Sequence, residues 1–248
     1  MLAIIGGSGV AQLTNLEVTE HRVIRTPYGD PSGALTFGHL NHCEIVFLAR
    51  HGYGHTIPPH LVNYRANIWA LHSLAVSGVI AIASVGGIRP DLEPGTLVLP
   101  DQVIDYTHSR KSTFFEDSDQ PVTHIDFTTP YSRPLQEKCL RAAQLADVPL
   151  ALGGVYGATQ GPRLETAAEI DRLERDGVDM VGMTGMPEAA LAREIGLEYA
   201  VIAVVANTAA GRGTSRDGIR LQDLQVTLQA AVGKVKRVID RLVEVHGD

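Results

Sequence analysis

At 248 residues, with 44% hydrophobic and 20% charged side chains, the chain is long enough to bury a sizeable core as one large domain or two small ones. Its formal charge of -7 argues against a nucleic-acid partner, which wants a basic surface, and means that any bound anion must be held by local groups. Cys43 and Cys139 fall in no metal-like or CxxC spacing, no basic n-region precedes the short apolar start, and no run approaches the ~20 apolar residues of a membrane span; free thiols, a cytoplasmic location and no membrane contact are expected.

Residues 2–5 read as a strand that meets Gly6-Gly7-Ser8-Gly9, a turn whose glycines let backbone approach a ligand and whose Ser8 offers a hydroxyl. The turn is neither GxGxxG nor a Walker loop, so a plain tight turn is the alternative. Residues 16–49 alternate as antiparallel strands and deliver Arg50 and His51. His51, His55 and His60 do not form a metal set, because Gly52 and Gly54 break helical spacing and no cysteine or carboxylate completes the shell. A helix is predicted from Pro59 with Leu61, Tyr64, Ile68, Leu71, Leu74 and Ala75 on one face and Gly78 as C-cap, followed by a buried strand over 79–83 that ends in Ser84-Val85-Gly86-Gly87.

A strand-pair region spans 95–107. Residues 108–134 lack periodicity and read as a lid or an interface. A helix over 135–146 and a strand over 151–159 lead into Gln160-Gly161-Pro162-Arg163-Leu164-Glu165-Thr166, and a helix continues over 169–175. Residues 178–207 then read as a βαβ unit: an apolar run ending at Gly182, a helix with Pro187 first, Glu188 in its first turn and Gly196 after it, and a Val/Ile-rich strand ending at Asn207. Ligands of open α/β sheets gather at the carboxyl ends of strands, which points to Gly182, Met183, Thr184 and Asn207. Residues 208–218 are glycine-rich and expected to be mobile, and 221–245 form a closing helix. No linker or repeat divides residues 1–248, so the pattern predicts a single-domain α/β fold, a mixed central sheet flanked by helices.

Taken together, GGSG at 6–9, RHGYGHTIPPHLVNYRANIWAL at 50–71, SVGGIRPDLEPG at 84–95, GATQGPRLETAAE at 157–169 and GMTGMPEAALARE at 182–194 resemble the trimeric purine nucleoside phosphorylases, and among them the methylthioadenosine phosphorylase branch. The resemblance covers most of the chain in the family's order and implies a nucleoside phosphorylase-like fold, a homotrimer, and phosphate-dependent cleavage of a purine nucleoside to free base and sugar 1-phosphate. Phosphate is then a co-substrate, with no cofactor or metal. By resemblance Ser8, Arg50, His51, Ser84 and Thr184 line the phosphate site and Met183 packs under the ribose. Arg supplies a planar charged fork of donors and the hydroxyls complete the cage. The branch usually has threonine and alanine where Ala83 and Ser84 stand, so this contact passes to Ser84 or its backbone.

The resemblance also separates the bases. Adenine-specific members carry two aspartates where this chain reads Asn207-Thr208-Ala209; an asparagine amide donates to O6 while its carbonyl accepts the proton gained by N7, which makes Asn207 the candidate catalytic residue. Glu165 matches the glutamate that accepts N1–H in 6-oxopurine enzymes, with a helix-capping role as the alternative, and Leu164 replaces the usual aromatic beside the base. Leu221 and Leu224 would wall a methylthio group or serve only the core, and His124 would approach from a neighbouring subunit. The combination implies S-methyl-5'-thioinosine. Methylthioadenosine, inosine or guanosine phosphorylases are the enzyme alternatives, a nucleoside hydrolase is disfavoured by the phosphate cage, and a nucleoside-binding sensor is the alternative outside enzymes.

Overall fold

The computed structural model describes residues 1–8, 10, 13, 15–116 and 122–247, so Gly9 of the first turn and 117–121 of the unpatterned segment lie outside it. The elements are β1 Leu2–Gly6, β2 Glu17–Arg22, β3 Leu35–Leu40, β4 Cys43–Ala49, α1 Tyr64–Ser73, β5 Gly78–Gly87, β6 Leu97–Leu99, β7 Gln102–Asp105, α2 Arg133–Leu145, β8 Leu150–Leu152, β9 Val155–Ala158, α3 Ala167–Arg175, β10 Met180–Gly182, α4 Gly185–Glu194, β11 Tyr199–Thr208 and α5 Leu221–Gly247. All the strands join one mixed sheet, giving the single-domain α/β architecture expected.

The sheet is organised around β5. Its first residues pair in parallel with β1, its whole length pairs in parallel with β11, and its last two residues, Gly86 and Gly87, pair antiparallel with β10. Alternation along these strands builds two cores. Val79, Ala81, Ala83 and Val85 of β5 face Ile68 and Leu71 of α1 and Ala189 and Leu191 of α4, whereas Ile80 and Ile82 face Leu135 and Cys139 of α2 and Val235, Ile239 and Leu242 of α5. Each such buried Val, Leu or Ile contributes roughly 1.5–3 kcal/mol of transfer free energy.

Four expectations change. First, residues 178–207 are not a βαβ unit of neighbouring strands: β10 runs opposite to β5 while β11 runs with it, so β10 and β11 are antiparallel and each pairs with β5 instead of with the other. Second, Pro59–Leu61 is a single 3-10 turn, and α1 starts only after Asn63, whose side chain accepts from Ala66 N; Ala75, at φ +51°, takes the left-handed position expected of Gly78, which opens β5. Third, residues 208–218 are tied down, with Ser215 buried, Thr208 Oγ1 in contact with Ser215, and Arg212 paired to Asp171 and Glu174 of α3. Fourth, the aromatics of 108–134, the segment read as a lid or an interface, are packed within this chain: Phe114 and Tyr131 are buried in its core, Phe115 and Phe127 pack on it, and the rings of Phe114 and Tyr28 meet at a tilt with centroids 4.9 Å apart.

Candidate active site

A cavity of about 470 Å³ opens where the ends of β1, β4, β5, β9, β10 and β11 converge. The antiparallel turn of β10 is what closes it. Val181 stands opposite Gly86, so the chain beyond Gly182 runs back along β5 and brings Met183 and Thr184 beside Ser84. The register of β11 against β5 slips between Val205 and Asn207, leaving Ala206 extra and setting Asn207 opposite Gly86; such a bulge re-aims a side chain without ending the strand. Glycines permit the close packing. A Cβ on Gly182 would fall 2.1 Å from Tyr156 Oη, and one on Gly7 would fall 2.4 Å from the Ile82 carbonyl.

Ser8, Arg50, His51, Ser84 and Thr184 all line the cavity. Arg50 is 1% exposed and does not stand alone. Its Nε and Nη2 donate to the two carboxylate oxygens of Glu188, each at 2.7 Å, and Nη1 donates to Ile82 O at 2.9 Å. Burial by itself lowers the Arg50 pKa, but the Glu188 carboxylate outweighs it and holds the guanidinium above its ordinary value. Three of the five N–H groups are thus spent, leaving one on Nη1 and one on Nη2, so the side chain offers directed donors while its charge is cancelled by Glu188. Glu188 lies in the first turn of α4 as expected, but it is fully buried there and accepts a further bond from Tyr199 Oη at 2.9 Å.

His51 Nδ1 lies 2.8 Å from Ile57 O, which fixes Nδ1 as the donor and Nε2 as the acceptor. Burial, with Arg50 adding to it, pushes the His51 pKa down to about 4, so the ring is neutral at pH 7. His55 packs on it at 4.7 Å, and Ser8 Oγ lies 3.4 Å from His55 Nε2. Among the described residues no three His, Cys, Asp or Glu side chains are grouped to hold a metal ion.

Leu164, Glu165, Asn207 and Ala209 line the same cavity. Thr159 Oγ1 donates to Glu165 Oε1 at 2.6 Å, which orients the carboxylate and leaves Oε2 without a protein donor among the described residues. Glu165 has no capping role: Thr166 caps α3 and Glu169 completes its capping box. Asn207 Nδ2 donates to Thr208 O at 2.6 Å. Met183 forms part of the floor, and Leu221 and Leu224, on the first turns of α5, line the remaining side. His124 is the exception. It is exposed and outside the lining, on a segment held by the bond from Arg193 Nε to Asp126 O near the far end of α4, roughly 12 Å along that helix from the cavity.

Sequence reasoning missed Glu188, Tyr156, Thr159 and Arg110. Glu188 left one signal, a lone carboxylate within the small apolar run PEAALA, where a buried charge demands a partner. The others carry no local signal, because their partners lie at least six residues away in the chain.

A sheet branching at β5 gathers a buried arginine, a neutral histidine, hydroxyls, a carboxylate and an amide around one cavity, a set that suits a phosphorylase. The chain matches the model described as Phosphorylase superfamily over residues 1–244, and it belongs to that family. It is 51% identical over 241 residues to the probable S-methyl-5'-thioinosine phosphorylase of Xanthomonas campestris pv. campestris, covering 97% of this chain and 96% of that one. It is 46% identical over 215 residues to the 6-oxopurine nucleoside phosphorylase of Pyrococcus furiosus, covering 85% of this chain and 80% of the relative. Among solved structures it resembles the methylthioadenosine phosphorylase of Schistosoma mansoni in complex with adenine, with a TM-score of 0.94 at 30% identity, covering 99% of this chain and 91% of the other.

Proposed function

We propose that this phosphorylase cleaves the glycosidic bond of S-methyl-5'-thioinosine with inorganic phosphate, giving hypoxanthine and 5-methylthioribose 1-phosphate. The observation that carries this reading is that Glu165 and Asn207 line the same cavity as Ser8, Arg50, His51, Ser84 and Thr184. As the bond to the base lengthens, positive charge develops on the sugar and negative charge on the purine. Phosphate under the sugar balances the first. It would be held by the two unspent N–H groups of Arg50 and by the hydroxyls of Ser8, Ser84 and Thr184, with His51 Nε2 accepting from a protonated phosphate oxygen. Because Arg50 is already paired with Glu188 and His51 is neutral, this site works by oriented donors more than by net charge.

On the purine side Glu165 Oε2 would accept N1–H, which a 6-oxopurine has and adenine lacks. Asn207 would serve O6 and N7, stabilising the departing base. Met183 would lie under the ribose, Leu164 beside the base, and Leu221 and Leu224 against the methylthio group. Bond cleavage written this way takes its nucleophile from phosphate and calls on no cofactor or metal. The alternative of methylthioadenosine as substrate is favoured by the name of the Schistosoma relative, but it meets a carboxylate opposite an N1 lone pair and, at Ala209, an apolar side chain where the adenine-specific pattern has an aspartate.

A homotrimer is part of the same proposal, with His124 of one protomer serving a neighbour's cavity, since its own lies a helix length away. No helix among the described residues is long and apolar enough to cross a membrane, and a cytoplasmic location is proposed with it. The deciding experiment compares phosphate-dependent turnover of methylthioinosine, methylthioadenosine, inosine and adenosine. Base release without phosphate would replace the phosphorylase by a hydrolase; binding without release would leave a sensor.

A further inference from the structure

Arg110 follows β7 and lies outside the cavity lining, yet its guanidinium bonds the backbone of two segments that lead into that lining. Nη1 donates to Met183 O at 2.8 Å and Met186 O at 2.6 Å, with Tyr64 Oη at 3.3 Å. Nη2 donates to Thr159 O at 3.2 Å and Gln160 O at 2.9 Å, and Nε reaches Gln160 Oε1 at 3.2 Å. The ring of Tyr64 lies 5.4 Å from the guanidinium carbon. Every one of these acceptors is neutral, and no ion pair to Arg110 occurs among the described residues.

The two bonded segments are those that carry the two halves of nucleoside recognition. Thr159 and Gln160 lead through Gly161 to Leu164 and Glu165, and Thr159 itself orients the Glu165 carboxylate. Met183 is the floor residue and precedes Thr184. The segments touch where a Cβ on Gly161 would stand 2.5 Å from Met183 Sδ, and Arg110 bonds the backbone on both sides of that contact. β9 and β10 pair in parallel as far as Ala158 and Gly182, with a last backbone bond from Thr159 N to Gly182 O at 2.8 Å, so from Gln160 and Met183 onward the ladder no longer sets their spacing. The guanidinium fork, with donors spread over a rigid plane, bridges the gap that the ladder leaves. A lysine ammonium concentrates three donors on one atom and cannot reproduce the contacts that the guanidinium spreads over both segments.

Resting on the reading that Glu165 meets the base and Met183 the sugar, we infer that Arg110 is a positioning residue that fixes the distance between the base-reading carboxylate and the sugar floor, and thereby the preference for 6-oxopurine nucleosides. Reaction rates respond to misplacements of about 1 Å, and discrimination by a carboxylate is lost first when it no longer meets its partner squarely.

The test uses Arg110→Met and Arg110→Lys, the second keeping the cation and serving if the first fails to fold. In folded variants the ratio of kcat/KM for methylthioinosine over methylthioadenosine is expected to fall at least about tenfold, a readout that simple loss of stability leaves alone because it scales both substrates equally. Amide hydrogen exchange, which needs no substrate, is expected to quicken over both 159–165 and 182–186. A wild-type ratio in a folded variant overturns the inference, as does unchanged exchange in both segments. If the wild type shows no phosphate-dependent turnover, the proposed reaction fails, and the exchange measurement by itself then supports or overturns the clamp.

Discussion

Arg50 and Glu188 stand 138 residues apart in sequence and meet as a fully buried, two-pronged ion pair, with both N–O distances at 2.7 Å. The pair ties the end of β4 to the first turn of α4, just beyond the lining residues Met183 and Thr184. Removing one partner leaves the other charge buried and uncompensated, so Glu188→Ala is expected to cost about 3–5 kcal/mol of stability. Arg50→Ala should cost a similar amount and in addition weaken phosphate use. Urea unfolding of the two single variants and of the double variant measures the coupling; additive losses would show that the pair is not the unit described.

Thr184 separates anion binding from stability. It is buried at the cavity wall and occupies the N-cap position of α4 without its side chain bonding the helix backbone. Thr184→Ala is therefore expected to lower the melting temperature only modestly, through its contact with Tyr156, while weakening phosphate use by about 1.5–3 kcal/mol, the value of a hydrogen bond to a charged group. Phosphate saturation curves at fixed nucleoside check it, and an unchanged half-saturation removes Thr184 from the anion site.

These two residues also mark what was legible beforehand. Thr184 could be found because it follows a strand end in a glycine-flanked turn, a local pattern. Arg50 could be found as well, but not that its charge is spent, because Glu188 sits in a run that reads equally well as an ordinary first turn. The fold class followed from the apolar stretches of β3, β4, β5 and β11, each contained within a single element. Strand direction was not legible at β10: three apolar residues carry no information about which neighbour they will pair with. Nor was the bulge at Ala206, since Ala206 and Asn207 read as an uninterrupted strand end.

The neutral state of His51 gives a pH dependence with a definite sign. Its pKa is about 4 in the fold against an ordinary 6.5. Between those values the unfolded chain binds a proton that the folded chain does not, so the contribution of His51 to stability rises with pH in this window. It is fully present above about 6.5 and lost as the pH falls to about 4. Wild type is expected to lose more stability than His51→Gln between pH 7 and pH 4.5, compared by urea midpoints. Parallel curves would mean that His51 is not held neutral by the fold.

Gly182 tests the packing of the turn between β10 and α4. A methyl group there would meet Tyr156 Oη at 2.1 Å and the ring carbon bearing it at 2.7 Å, and Thr184 N lies 3.4 Å from the same hydroxyl. Gly182→Ala is expected to cost about 1–3 kcal/mol through overpacking and to lower turnover by moving Met183 and Thr184. Combining it with Tyr156→Phe should recover part of the stability, because the nearest clashing atom is gone. Thermal melts of the two singles and the double decide; a double no better than Gly182→Ala would place the strain elsewhere.

The sharpest expectation concerns the base. Wild type should prefer methylthioinosine over methylthioadenosine by roughly 10⁴-fold in kcat/KM, the scale on which a site built to hydrogen-bond one substrate rejects an analogue that leaves buried groups unpaired. Reversing that preference is not a matter of restoring the two aspartates alone. Asn207→Asp loses the bond from Nδ2 to Thr208 O and sets a carboxylate against that carbonyl. Ala209 is 2% exposed and packs among Ile88, Ile170, Leu173, Val178 and Val181, so Ala209→Asp buries a charge in an apolar cluster and is expected to be the most destabilising of the set. Glu165→Ser removes the repulsion at adenine N1 and frees Thr159, whose hydroxyl would otherwise stay bonded to the carboxylate. The order of effects should therefore be a large loss of methylthioinosine cleavage in Glu165→Ser, a gain on methylthioadenosine only when Asn207→Asp is added, and no further gain from Ala209→Asp unless stability is first restored. Steady-state kcat/KM for both nucleosides in the wild type, the single variants, the double and the triple, with melting temperatures alongside, follows each step. A wild type that already favours the 6-amino substrate would overturn the roles given to Asn207 and Glu165 together.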